Sequence, residues 1–473
     1  MNFSNIIFWL ILITVVLGFY FVKVTYYLLT KKNMPILIDK FFLLSASLIC
    51  LGVASIESLF IFILVSILSY FFSYLVLKNT FQRKPLSFFA KFLFIFILLT
   101  PLLYYKYKFF ILEIFGITTI QPANFIIPAG ISFYTFQVVG FLIDTYKSNQ
   151  KLPSILDYLN FCSFVPQIVA GPIERRENLL PQVTHFKLNI SFENFVTGLK
   201  YIILGLFFKI CLADNLALCL IENINKNVFA LWLNNIIFGL RIYFDFAGYG
   251  LSAYGLAICF GIKITLNFLS PYTATNIAVF WRRWNISLTN WFRDYIYIPI
   301  GGNRKKFWAI NLMIVFFISG LWHGASWNFL FWGVISSIGL IIHKFLKKYT
   351  HLSLNIFISY FFTMLFVFYT WMYFYETNIA SLLEYNLILF NYHNYSINHI
   401  KELILNETFR PQLILMSGVL PFSLIVLIIE SISNKYKSSP YELMCSLPFI
   451  CLAIFMLFHF IPRITNDFIY FAF

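Results

Sequence analysis

Residues 3–22, FSNIIFWLILITVVLGFYFV, run without one charged side chain. That is the length a helix needs to cross the roughly 30 Å of bilayer hydrocarbon. No small-x-small cleavage site closes the stretch, so it reads as a first span rather than a removable leader. Further apolar runs lie near 41–53, 57–77, 88–104, 123–143, 193–212, 228–246, 307–321, 324–343, 352–375, 412–430 and 443–462. Some are too short to cross alone. The expectation is an all-α polytopic integral membrane protein with about 10–12 transmembrane helices plus re-entrant segments.

Composition narrows the partners. Only 11% of residues are charged, against about 25% in soluble chains, and mean hydropathy is +0.81. The net charge of +15 would suggest nucleic acid in a soluble protein. Here Lys and Arg gather in loops between apolar runs, as the positive-inside bias requires. Membrane lipid is therefore the expected partner, and nucleic acid is not. Cysteines 50, 162, 211, 219, 259, 445 and 451 sit in or beside apolar runs with no C-x-x-C. Neither a disulfide framework nor a metal site is expected.

Charge parity gives an orientation for the second half. Arg282, Arg283, Arg293, Arg304, Lys305 and Lys306 form one basic cluster, and Lys344, Lys347 and Lys348 a second. Both belong in the cytoplasm. The segment 307–343 then leaves and returns, with its break expected at Gly320 and Gly324. The stretch 376–411 holds four Glu against one Lys and one Arg, which suits the outer face. Continuing the count puts residues 463–473 on that outer face.

Polar residues within such runs are costly, and each is a candidate for function. His323 stands in SGLWHGASWNFLFWG, 319–333, with Ser319 and Gly320 before it and Trp322 and Trp327 beside it. Small neighbours let a ligand approach the backbone, and a desolvated imidazole suits proton transfer. The same residues also suit a helix-packing histidine. A second cluster is FWRRWNISLTNWFRDYIYIPIGGNRKK, 280–306, containing Trp281, Arg282, Arg283, Trp284, Asn285, Arg293 and Asp294. One reading is an interfacial segment on anionic lipid. The other is an anion site, with Arg forking onto phosphate and indoles stacking on a planar ring, as an acyl-CoA would need. Asp245 is expected to pair with Arg241 one turn away, and Gly248, Gly250 and Gly255 to permit close helix packing.

Taken together, PAGISFYTFQVVGFLIDTY, FCSFVPQIVAGPIERRENLLPQ, FWRRWNISL, WFRDY, IPIGGNR and GLWHGASWNF resemble the membrane-bound O-acyltransferases. Within that family the chain is similar to the bacterial alginate O-acetyltransferase-like and peptidoglycan O-acetyltransferase branch, with teichoic acid D-alanyl transferases as relatives. The resemblance covers about 128 to 343. It implies one membrane domain over 1–473, divided into peripheral helices (1–122), a motif-bearing core with a central tunnel (123–345) and C-terminal helices (346–473). It further implies that His323 is the catalytic base and that Asn285 orients the substrate or contacts an oxyanion. The Asn is a departure, because the branch often has His there. Trp281, Arg282, Arg283, Trp284, Arg293, Asp294, Ser319 and Trp322 would line the donor route. No bound cofactor is implied. Acetyl-CoA, or another acyl-CoA or acyl-carrier thioester, would be the donor. An extracytoplasmic transferase would be a partner, at the bacterial cytoplasmic (inner) membrane.

Three rival readings are a D-alanyl transferase and, of different classes, a polysaccharide flippase and a scaffold subunit that only holds a secreted partner enzyme. One last feature is the stretch NDFIYFAF, 466–473. An aromatic segment prefers an apolar groove to water. It resembles the Phe-x-Tyr ending of a small partner peptide in the D-alanyl system, which implies Tyr470 as an acyl-shuttle candidate. An interfacial anchor is the alternative.

Overall fold

The computed structural model is described here for residues 5–473, other than 82–86, 118–124, 126, 149, 169–170, 222–226, 305, 350–354, 408, 437–438, 463–467 and 470–473. The described residues form two compact units, 1–202 with 252–265, and 203–251 with 266–473. Helices account for the regular structure, and no strand occurs among the described residues.

In the first unit, α1 (Ile6–Thr30), α2 (Ile36–Ala54), α3 (Ile56–Phe81) and α4 (Phe88–Leu102) follow one another across short connections. After α4 come a π-helical turn, Leu103–Tyr107, and α5 (Lys108–Ile114). Pro101 lies just ahead of that turn, where its missing N–H already interrupts the α-helical ladder. α6 (Ile131–Ser148) packs on α3, and α7 (Ile155–Ser163) packs on α2. α8 (Arg176–Thr184), most of α9 (Phe192–Leu206) and the end of the long helix Val228–Cys259 follow. Two ion pairs tie early helices down, Lys23 to Asp39 and Lys40 to Asp157, each at 2.7 Å. Glu174 accepts from the Thr265 N–H and the Asn178 amide, both at 2.5 Å, so it is a structural carboxylate.

The second unit holds α10 (Asp214–Leu218), most of α11 (Val228–Cys259), and the short helices α12 (Ile277–Arg283) and α13 (Ile286–Phe292). It continues with α14 (Trp308–His323), α15 (Trp327–Tyr349), α16 (Ile356–Tyr375), α17 (Ile379–Phe390) and α18 (Ile397–Leu405). It ends with α19 (Arg410–Lys435), α20 (Pro440–Met444) and α21 (Leu447–His459).

Among the described residues, nine helical stretches are long and apolar enough to cross a bilayer, and three shorter apolar ones accompany them. The expected all-helical, multi-pass architecture is therefore present. Three details differ from expectation. The run at 123–143 yields α6, which starts only at Ile131, after a turn with Gly130 at φ +74°. The stretch 376–411, outside every expected apolar run, contains α17 and α18, and Asn378 caps α17 with its side chain. The break between α14 and α15 falls at Gly324 alone. Gly320 stays helical, and its missing Cβ lets the Phe329 carbonyl approach.

Candidate active site

His323 is the last residue of α14. The chain turns extended at Gly324 (φ −165°, ψ 152°) and re-enters α15 at Trp327. The two helices pack as an antiparallel hairpin with glycines at the seam. A Cβ on Gly320 or Gly333 would overlap the backbone carbonyl of Phe329 or Phe316, and one on Gly324 would overlap the Phe329 ring. This closeness sets which aromatic rings meet the imidazole. Trp322, Trp332 and Phe374 all lie edge-on to it, with centroids 5.0 Å away. His323 is 3% exposed.

Asn285 arrives from a different element. It sits between α12 and α13 with φ 41° and ψ 60°, one of three non-glycine residues at positive φ among those described. Asn tolerates this left-handed conformation better than most residues. An Asn at a helix start usually caps with its own side chain. Here Asn285 makes no such bond. Asn267 does the capping, taking the Ile286 N–H on its carbonyl (2.9 Å) and the Ser287 N–H on its side-chain oxygen (3.3 Å). The Asn285 carboxamide is thereby left to other uses.

Both residues line one cavity of about 70 Å³, together with Trp281, Trp284, Ser319 and Trp332. That volume is well above the roughly 15 Å³ one water needs, and leaves room for a small acyl group. Its walls are mostly rings. Trp284 is wedged against Phe280, Phe268 and Trp371 at 4.8–5.5 Å, and Trp281 against Phe316 and Trp332. Among the described residues, the buried Asn285 Nδ2, Trp281 Nε1 and Trp332 Nε1 have no hydrogen-bond partner.

The sequence-predicted residues thus divide. His323, Asn285, Trp281, Trp284 and Ser319 share the cavity. Trp322 is behind the imidazole, buried, and outside the lining. Arg282 is exposed. Arg283 donates to the Thr273 hydroxyl at 2.8 Å. Arg293 and Asp294 are neighbours in the π-helical turn Arg293–Tyr297, and pair with each other at 2.7 Å. Trp332, Phe374 and Asn267 were not singled out from sequence. Trp332 had a legible signal, being four residues after Asn328 and five after Trp327 within the same motif. Trp327 itself is 39% exposed, so the helix turns Trp332 inward in its place.

Asp245 departs from its expected pairing with Arg241. Its ion pair is with Lys209 at 2.8 Å, and Lys209 also reaches Asp214 at 2.8 Å, all three side chains being buried. Lys209 belongs to the π-helical turn Phe207–Ala213, which brings it beside α11 where a same-helix partner was expected. The other Asp245 oxygen accepts the Ile469 N–H at 2.7 Å. Next to Ile469, Phe468 is 1% exposed and packs on Phe246 and Tyr249. Tyr470 lies outside the described residues.

Residues 131–385, more than half of the chain, match the model of the MBOAT, membrane-bound O-acyltransferase family. The chain is 34% identical over 320 residues to a peptidoglycan O-acetyltransferase of Helicobacter pylori, covering 59% of this chain and 60% of that one. It is 34% identical over 262 residues to a probable alginate O-acetylase, AlgI, of Azotobacter vinelandii, covering 52% and 51%. It is 28% identical over 232 residues to a teichoic acid D-alanyltransferase of Streptococcus thermophilus, covering 45% and 56%. The matches thus span about half to three-fifths of each relative's length. With its motif blocks inside the matched region and its apolar helices, this chain belongs to the membrane-bound O-acyltransferase family.

Proposed function

We propose that this protein is an O-acetyltransferase of the bacterial cytoplasmic membrane. It takes acetyl from acetyl-CoA on the cytoplasmic side and delivers it for O-acetylation of an extracytoplasmic polysaccharide or peptidoglycan. The observation that carries this reading is the shared cavity, where a buried histidine and a buried asparagine from separate elements meet. His323 accepts the proton of an attacking hydroxyl, and Asn285 orients the acyl group. A positioned base of this kind contributes about 10²–10⁴-fold. The relatives named for peptidoglycan and alginate support acetyl as the group moved. The D-alanyltransferase, at 28% identity, supports D-alanyl as the second reading.

Arg282, exposed at the end of α12, is the better candidate for a phosphate of the donor. The Arg283 guanidinium is already engaged by Thr273. Tyr470, the residue after Ile469, is the proposed acyl shuttle to the outer face, where an extracytoplasmic transferase would collect the group. Tyr470→Phe keeps the ring and removes only the hydroxyl, so O-acetylation in cells should be lost.

The decisive assay is acyl transfer from radiolabelled acetyl-CoA by purified protein in nanodiscs. His323→Ala should fold and insert normally yet lose transfer. Near-normal transfer by that variant would remove the histidine from the mechanism. A label that moves only from a D-alanyl thioester would select the second reading.

A further inference from the structure

We infer that Trp332 is a catalytic hydrogen-bond donor, its indole N–H forming with the Asn285 amide and the Trp281 indole a receptor for the acyl carbonyl oxygen. The inference rests on reading the cavity as the acyl-transfer site. Buried donors in folded proteins nearly always have a partner. Here three of them, Trp332 Nε1, Trp281 Nε1 and Asn285 Nδ2, are unpartnered among the described residues, and their side chains line one cavity. Trp332 and Asn285 are only 2% and 3% exposed. An indole nitrogen can only donate. The group that satisfies this set must therefore be an acceptor, and an oxygen gaining negative charge satisfies it best.

The rings are also held still. Trp332 is packed edge-on against His323 (5.0 Å), Phe374 (5.0 Å) and Trp281 (5.5 Å). A donor fixed before the reaction needs no reorganisation as charge develops. In the step itself, the acceptor hydroxyl oxygen bonds to the thioester carbonyl carbon, and the imidazole of His323 takes its proton. The carbonyl electron pair moves onto oxygen, which the three N–H groups hold. Collapse breaks the C–S bond, and the thiolate leaves with the proton returned from His323.

Trp332→Phe removes the N–H and keeps an aromatic ring. Loss of one such donor typically lowers kcat about 10²–10³-fold. We expect that fall with KM for acetyl-CoA within about twofold, because the contact strengthens only in the transition state. Where Trp332→Phe lowers thermal stability, Trp332→3-benzothienylalanine restores the indole shape without the donor, and it should show the same kcat loss. A benzothienyl variant with kcat within about threefold of wild type, beside an inactive His323→Ala, overturns the donor role and leaves the histidine mechanism standing. An active His323→Ala would instead overturn the reading of the cavity itself.

Discussion

At the residue scale, the cavity is lined by one asparagine held where most side chains are strained. Asn285 adopts φ 41°, and Asn267 relieves it of capping duty. Substitutions can separate backbone from chemistry. Asn285→Gly suits the left-handed conformation and removes the carboxamide. Asn285→Ala removes the same group and adds a left-handed cost of about 1 kcal/mol. Both should lose turnover alike, while only the alanine variant melts at lower temperature in detergent. Full turnover in Asn285→Gly would strip the amide of any role. His323 was legible in the sequence as a costly polar residue in an apolar run, and Asn285 as the odd polar residue between Trp284 and Ile286 in a motif block. Phe374 and Asn267 were not, and Trp332 was marked only by its place in the motif SGLWHGASWNFLFWG. Aromatic residues are plentiful here, 21% of the chain, and an asparagine in a loop carries no signal until the loop's partner is known.

At the element scale, backbone contact rather than side-chain size sets helix spacing, and glycines two residues apart can have opposite roles. A Cβ on Gly248 would lie 2.7 Å from the Gly205 carbonyl oxygen and 2.9 Å from the Lys209 nitrogen. One on Gly250 would meet nothing within 4 Å. The expected packing role therefore holds for Gly248 and not for Gly250. Gly248→Ala should cost about 1–3 kcal/mol, as overpacking does. Gly250→Ala should gain about 0.5–1 kcal/mol, because Gly is unfavourable inside a helix. Unfolding midpoints of the two variants moving in the same direction would contradict this account. Helices themselves were the most legible level, since span length follows from bilayer thickness. The exceptions were the shorter helices, among them α17 and α18 in a segment whose acidic residues suited the outer face. α17 has only 12 residues, about 18 Å, too short to stand out as a span.

At the scale of the whole molecule, three stretches far apart in sequence, 209–214, 245 and 469, meet at one buried ionic knot. Lys209 reaches both Asp214 and Asp245 at 2.8 Å, and Asp245 holds the Ile469 N–H at 2.7 Å. Removing one member of a buried ionic set strands its partners and costs about 3–5 kcal/mol. Lys209→Met leaves two buried carboxylates and should be strongly destabilised. Adding Asp214→Asn and Asp245→Asn removes both stranded charges and should recover most of that loss. The Asp245 position separates fold from delivery. Asp245→Asn keeps an oxygen that accepts from Ile469, whereas Asp245→Ala does not. Tyr470 follows Ile469 directly, so loosening that amide loosens the attachment of the proposed shuttle. Hydrogen exchange at the Ile469 amide should therefore speed up far more in Asp245→Ala than in Asp245→Asn. O-acetylation in cells should fall in the same order, while acetyl-CoA binding by the purified protein is retained. Equal exchange rates in the two variants would show that Phe468, packed on Phe246 and Tyr249, holds the segment without the carboxylate. Unequal exchange with equal O-acetylation would mean that the docked segment has no part in delivering the acyl group.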